Sequence, residues 1–214
     1  MIAGKYVAVS GNTGAGKSTL VRAVGAHAAD RGYTVAQVQE RDLHASAVPL
    51  MFTRPELFAL PVQFAFAVNR HLALLGHMTE GRDLVAERSH LDDRLFVVQH
   101  VRDGNVSESE AEGYFRAADV LNARLPQPDL MVLLDVDPSE ALRRIRADED
   151  AGTRPREFPS EPQKEHLVHA WHALYKDFHA RLRAAWDPAS ILVCSSDTSP
   201  GEIAAAVCER VGWR

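Results

Sequence analysis

Short β-rich apolar runs alternate along this chain with longer stretches whose apolar residues recur at helical spacing. The runs predict strands over residues 5–10, 33–39, 83–86, 130–136 and 191–194. Helical patterns fill the intervals 18–30, 55–77, 92–101, 108–125, 138–148, 162–186 and 200–211. Strands separated by helices pair in parallel through right-handed crossovers. The predicted class is therefore α/β, a three-layer sandwich with a five-stranded parallel sheet and helices on both faces. The run Met131-Val132-Leu133-Leu134 has no polar alternation, as suits a strand covered on both sides. One polar, Pro-containing interruption, 148–162, carries Arg154 and Arg156 and reads as a mobile flap.

Composition narrows the picture without adding chemistry. A length of 214 residues favours one domain over 1–214. With 46% hydrophobic and 25% charged residues the chain matches a soluble globular protein. The balance of 24 Lys+Arg against 29 Asp+Glu, net −5, lacks the basic footprint of a nucleic-acid binder. The longest uncharged stretch, 57–69, is broken by Pro61 and falls short of the ~18 apolar residues a bilayer span needs. No leader-like segment precedes the first strand, and Cys194 and Cys208 form no metal or disulfide framework. These readings imply a reduced, cytoplasmic protein without membrane or nucleic-acid partners.

The first strongly specific signal is Gly11-Asn12-Thr13-Gly14-Ala15-Gly16-Lys17-Ser18, followed by Thr19. It matches G-x-x-x-x-G-K-[ST], directly after a strand and opening a helix. Glycines let backbone N–H groups turn inward around phosphate oxygens, and the helix N-terminus adds positive partial charge. Lys17 is expected to bridge the β- and γ-phosphates and the Ser18 hydroxyl to ligate Mg²⁺. The motif implies a nucleoside triphosphate, with ATP the natural donor, but leaves the fate of its phosphate open.

Three constellations bear on that fate. Glu40 ends the second strand, where ligands of open α/β sheets bind. It is either a carboxylate that accepts a hydroxyl proton or a solvated loop acid. Glu87-Arg88-Ser89 ends the third strand, with Asp93 six residues past Glu87. The pair can hold Mg²⁺ and neutralise a transferring phosphoryl, or sit in a surface loop; Asp135 and Asp137 compete for the metal. Gln63 and Arg70 lie nearly two turns apart on one face of the long helix, among Ala59, Phe66, Ala67 and Leu74. They are either a helix margin or a buried polar pair, in which the Gln amide suits the edge of a heterocyclic base and the Arg needs a carboxylate such as Asp93.

Taken together, these residues resemble the deoxyribonucleoside kinase family. The resemblance covers most of the chain. It rests on Gly11-Asn12, the stretch Met51-Phe52-Thr53-Arg54-Pro55-Glu56-Leu57-Phe58 with Gln63 and Arg70, Glu87-Arg88-Ser89 with Asp93-Arg94, and Leu142-Arg143-Arg144-Ile145. It implies a P-loop NTPase sandwich with an Arg-bearing lid at about 144–160, and a homodimer formed through helices flanking the sheet. It also implies that Glu40 deprotonates the nucleoside 5′-hydroxyl, Glu87 helps hold Mg²⁺ and Arg88 orients the reacting oxygens. Gln63, Arg70 and Asp93 would read the base, and Arg144, Arg154 and Arg156 would close over the phosphates. The chain departs from the family pattern at Phe52, where a Tyr usually contacts the sugar 3′-hydroxyl, and at Val62 and Val97, which imply smaller walls around the base. A displaced lid sequence, Arg154-Pro155-Arg156-Glu157, follows acidic Asp148-Glu149-Asp150 and offers Glu157 to the sugar.

The implied reaction is ATP-dependent phosphorylation of a deoxyribonucleoside in salvage, purines favoured over deoxycytidine. A monophosphate kinase of thymidylate kinase type shares fold and lid. A nucleotide-binding switch is the rival from another class, though the base-reading N-K-x-D is absent. His166, His169 and His172 recur at helical spacing without a metal-binding pattern, and Trp171 and Trp186 read as packing residues.

Overall fold

Five parallel strands lie in the order β2-β3-β1-β4-β5: β1 (Tyr6–Gly11), β2 (Val35–Val38), β3 (Asp83–Glu87), β4 (Leu130–Asp135) and β5 (Ile191–Ser195). The computed structural model describes residues 4–44 and 48–213. Every residue of β1 is buried, because β1 is central and helices cover both its faces. Val9 is in register with Glu87 and Val132, and Gly11 with Leu134, so β1, β3 and β4 deliver their carboxyl ends to one crevice. Such a crevice, where strand order reverses, is where doubly wound sheets bind ligands.

The helices divide between the faces. One apolar cluster joins α1 (Lys17–Ala29), α7 (Pro138–Asp150) and α9 (Pro200–Val211) to Val7, Val9 and Val132. The other joins α4 (Pro55–Thr79), α5 (Asp93–Arg102), α6 (Glu108–Asn122) and α8 (Glu161–Ala185) to Tyr6, Ala8 and Met131. Sequence and structure agree on all five strands and seven helices, with ends shifting by up to three residues. Two short helices, α2 (Glu40–His44) and α3 (Val48–Thr53), and a 3-10 turn at Pro188–Ser190 are not predicted. Each is too short to display a helical period. Among the described helices α4 alone has the length and apolarity to cross a bilayer, although Ala59, Val62, Phe66, Leu74 and Met78 of α4 belong to the core.

The start of α1 sets up the site. Its N-cap is Gly16 at φ 91°, with no capping side chain, and no acidic residue stands in its first turn. An uncapped terminus with Lys17 at its first position is unfavourable against the helix dipole unless an anion sits there. Gly14, at φ 72°, has no room for a Cβ, which would lie 2.5 Å from the carbonyl oxygen of Ala141.

Candidate active site

A cavity of about 920 Å³ runs from the loop between β1 and α1, past the ends of β3 and β4, to a wall of aromatic side chains. Thr13 to Thr19 line one end. Lys17 is 5% exposed, and its Nζ donates to the Asn12 carbonyl at 2.9 Å and stands 3.9 Å from Glu87 Oε1. Burial, helped by the charge of Arg88, lowers the Lys17 ammonium to about 8. Gly11 and Asn12 lie behind the wall. The Asn12 amide donates to the Val168 carbonyl at 2.8 Å and accepts from the Thr13 N–H at 2.8 Å, tying the loop to α8.

Beside the loop, Ser18 Oγ donates to Glu87 Oε2 at 2.9 Å. A hydroxyl and a carboxylate at the phosphate end make a hard oxygen pair. They suit Mg²⁺, which keeps several waters and is commonly held by one or two protein groups plus phosphates. Asp135 is exposed, and Asp137 caps α7 by accepting from the Ser139 N–H at 2.8 Å, so neither lines the cavity.

Glu40 opens α2 and Arg88 follows β3. Arg88 Nε donates to both Glu40 carboxylate oxygens, at 2.8 and 2.9 Å. Burial pushes the Glu40 carboxyl up, but the charges of Arg88, Lys17 and Arg70 prevail and hold it at about 2. Arg88 is the one non-glycine residue at positive φ among the described residues, at 65°. Its Nη1 donates to the Gly11 carbonyl at 3.0 Å and to the Tyr175 hydroxyl, and its guanidinium carbon lies 4.7 Å from the centre of the Phe96 ring.

At the far end, Gln63 of α4 lines the wall and donates to Met51 Sδ at 3.3 Å. Asp93, at the start of α5, lines it too, and burial raises its carboxyl to about 6 despite Arg70. Arg70 does not reach the cavity. Fully buried, it donates through Nε to both Asp93 oxygens at 3.0 and 3.1 Å and through Nη1 to the Glu87 carbonyl at 2.8 Å, while Nη2 has no partner among the described residues. It therefore sits behind Asp93 and braces it.

The aromatic wall is wider than the sequence implies. Phe52 is in place, its ring centre 4.8 Å from that of Phe158 and 6.3 Å from that of Trp171. Trp171 both packs and lines the cavity, whereas Trp186 only packs against the core. Val62 and Val97 are buried away from the cavity, and the wall beside them is Phe66 and Phe96, so the smaller walls expected there do not occur. Met51, which opens the stretch that carries the family resemblance, lines the cavity, whereas Phe158 and Tyr175 escape sequence reasoning because their apolar or amphipathic character reads as ordinary core.

The lid arginines separate. Arg144 lines the cavity while pairing with Glu140 at 2.7 Å. Arg154 reaches the Thr13 hydroxyl at 3.2 Å and Glu157 at 2.8 Å, and both Arg154 and Glu157 line the cavity. Arg156 does not; it pairs with Asp150 at 3.2 Å on the surface, with its side chain 74% exposed. Arg143 pairs with Glu140, and Arg146 with Glu161 and Glu165, so neither faces the phosphate loop. At the base of the lid Lys164 contacts Glu149 at 2.5 Å and Glu161 at 2.6 Å, joining α7 to α8.

The chain is similar to known kinases. A deoxyadenosine kinase of Dictyostelium discoideum is 24% identical over 143 residues, covering 67% of this chain and 56% of that protein's length. A thymidylate kinase of Shouchella clausii is 28% identical over 159 residues, covering 68% and 69% respectively. Among solved structures, deoxyadenosine kinase from M. mycoides with dCMP and dCDP bound superposes with a TM-score of 0.78 at 17% identity, covering 97% of this chain and 98% of that one. The same enzyme with dATP bound gives 0.76 at 15% identity, covering 97% and 99%. The sequence profile of the deoxynucleoside kinase family matches residues 7–191, and this chain belongs to that family.

Proposed function

We propose that the protein transfers the γ-phosphoryl group of ATP to the 5′-hydroxyl of a deoxyribonucleoside. The observation that carries this reading is a single cavity with Lys17, Ser18 and Glu87 at one end, Gln63 and Asp93 at the other, and the Glu40–Arg88 pair between them. Backbone N–H groups of residues 13–18 and Lys17 hold the donor phosphates, and Arg144 and Arg154 close over them from the lid. Ser18 and Glu87 would hold Mg²⁺, which would supply neutralisation of phosphate charge. The 5′-hydroxyl donates to Glu40. With its carboxyl held at about 2, Glu40 is a weak base at neutral pH, so it orients the nucleophile and takes the proton late. Arg88 steadies Glu40 and faces the charge that develops between donor and acceptor.

Gln63 and Asp93 read the base edge, with Arg70 fixing Asp93, and Glu157 serves the sugar beside Phe52. A carboxylate with an amide favours bases bearing amino groups, so purine deoxynucleosides lead and deoxycytidine follows. The name of the Dictyostelium relative supports that preference. The likeness to thymidylate kinases supports a monophosphate acceptor instead. Against that stands Glu40, an ionised carboxylate at the acceptor position that is paired with Arg88 and repels a second phosphate. The product would serve nucleotide salvage in a cytoplasm, a setting consistent with the two buried free thiols. The outer stripe of α4, with Leu57, Val68 and Leu72 exposed, supports a homodimer. The test is a phosphorylation assay across the four deoxynucleosides and their monophosphates. Turnover of nucleosides alone is the expected result, and turnover confined to monophosphates would overturn the reading.

A further inference from the structure

α8 meets the turn after β3 directly through Tyr175 and, one helical turn on, indirectly through His179 and Ser10 of β1. Tyr175 accepts a hydrogen bond from Arg88 Nη1, and its ring centre lies 5.6 Å from the Arg88 guanidinium carbon and 6.5 Å from the centre of the Phe96 ring, which also contacts that guanidinium. His179 lies 3.1 Å from Ser10 Oγ, which gives its only proton to Asp92 Oδ1 at 2.6 Å. The His179 Nε2–H must therefore be the donor to Ser10. Asp92 in turn accepts from the N–H and hydroxyl of Ser89, at 2.9 and 2.6 Å. Arg88 thus stands at φ 65°, with its backbone N–H on the Val9 carbonyl and Ser89 clamped behind it. A branched-free but bulky residue holds such a conformation only where its surroundings over-determine it.

We infer that Tyr175 is a positioning residue for phosphoryl transfer, holding the Arg88 guanidinium at the angle from which it meets Glu40. The hydroxyl and the ring act together. The phenol oxygen and the Gly11 carbonyl both accept from Nη1, and the adjoining Tyr175 and Phe96 rings pack beside the guanidinium, while its Nε is directed to Glu40. Tyr175 is buried at 3% exposure and does not line the cavity, so it acts through Arg88 and not on substrate.

The inference rests on the proposed roles of Glu40 and Arg88, and its test separates the two. Tyr175→Phe keeps the ring and removes only the hydroxyl. Its kcat should fall about tenfold, the scale of one hydrogen bond to a charged group, while KM for donor and acceptor stays within about twofold. In an Arg88→Lys background the same change should add less than about twofold, because the group it positions is gone. Additive losses, or a loss in KM alone, would overturn the inference. A readout without turnover is the Arg88 Nε–Hε signal in ¹⁵N NMR, assigned by its absence in Arg88→Lys. It should move or broaden in Tyr175→Phe, and an unchanged signal would overturn the inference even if the parent protein phosphorylates no nucleoside. Failure of the parent to turn over counts against the kinase reading alone, and the NMR signal then decides on Tyr175.

Discussion

At one end of the cavity, seven consecutive residues from Thr13 to Thr19 line the wall, a loop that offers backbone N–H groups and one lysine to the proposed donor phosphates. At the other end, side chains arrive from five separate helices, α2, α3, α4, α5 and α8, and several are charged, buried and paired with one another. A wall of interlocked side chains holds part of the fold together as well as the ligand. The same kind of substitution should therefore have opposite consequences at the two ends.

The largest effect expected at the phosphate end is on rate. Lys17→Met should lower kcat/KM roughly 10³-fold, the scale on which a charge aimed at the transition state acts. It should leave Tm unchanged or higher, because a buried ammonium lowered to about 8 is a burden on the folded state at neutral pH. A large fall in Tm would show that the lysine is structural. At the acceptor end Arg70→Met should destabilise by about 3–5 kcal/mol in denaturant melts, since it leaves Asp93 and the Glu87 carbonyl buried without their donor. Unaltered stability there would erase the contrast between the ends.

Acid should reach the acceptor face first. His90, His100 and His179 all lie on that face, and burial lowers each to about 4. The unfolded chain takes up their protons near 6.5, so the stability they withhold from the protonated state is lost as pH falls from about 6.5 to 4, at up to roughly 3 kcal/mol per residue. Asp93, raised to about 6, works the other way over about 4 to 6 and offsets roughly one histidine. Melting temperature against pH should therefore drop between 6.5 and 4, and a flat profile would show these histidines to be solvated. The smallest effect separates two neighbours in the lid. Arg154→Ala should raise KM for ATP about tenfold, while Arg156→Ala should change it less than about twofold. Equal effects would mean that the surface pair of Arg156 with Asp150 opens in use.

What could be read from sequence follows the same division. The phosphate loop is contiguous and its motif states its own geometry, so Gly11 to Ser18 and the strand and helix around it are legible directly. The acceptor end depends on which way each helix faces, and one residue turns a helical position by about 100°. Phe96 and not Val97 therefore reaches the cavity, and Arg70 stands behind Asp93. Tyr175 carries no local signal at all, since its meaning comes from Arg88, 87 positions earlier in the chain. Lid arginines two apart point to opposite sides, so the spacing of Arg154 and Arg156 alone could not say which one turns inward.

On the proposed reading, Glu40 meets the acceptor hydroxyl beside the bound donor. The most direct measurement is the initial rate of deoxynucleoside 5′-monophosphate formation from ATP, Mg²⁺ and deoxyadenosine or deoxycytidine, in the parent protein and in Glu40→Gln. Glu40→Gln should keep its fold by circular dichroism and lose roughly 10²–10⁴ in kcat. A Glu40→Gln variant that turns over at the parent rate would contradict the account.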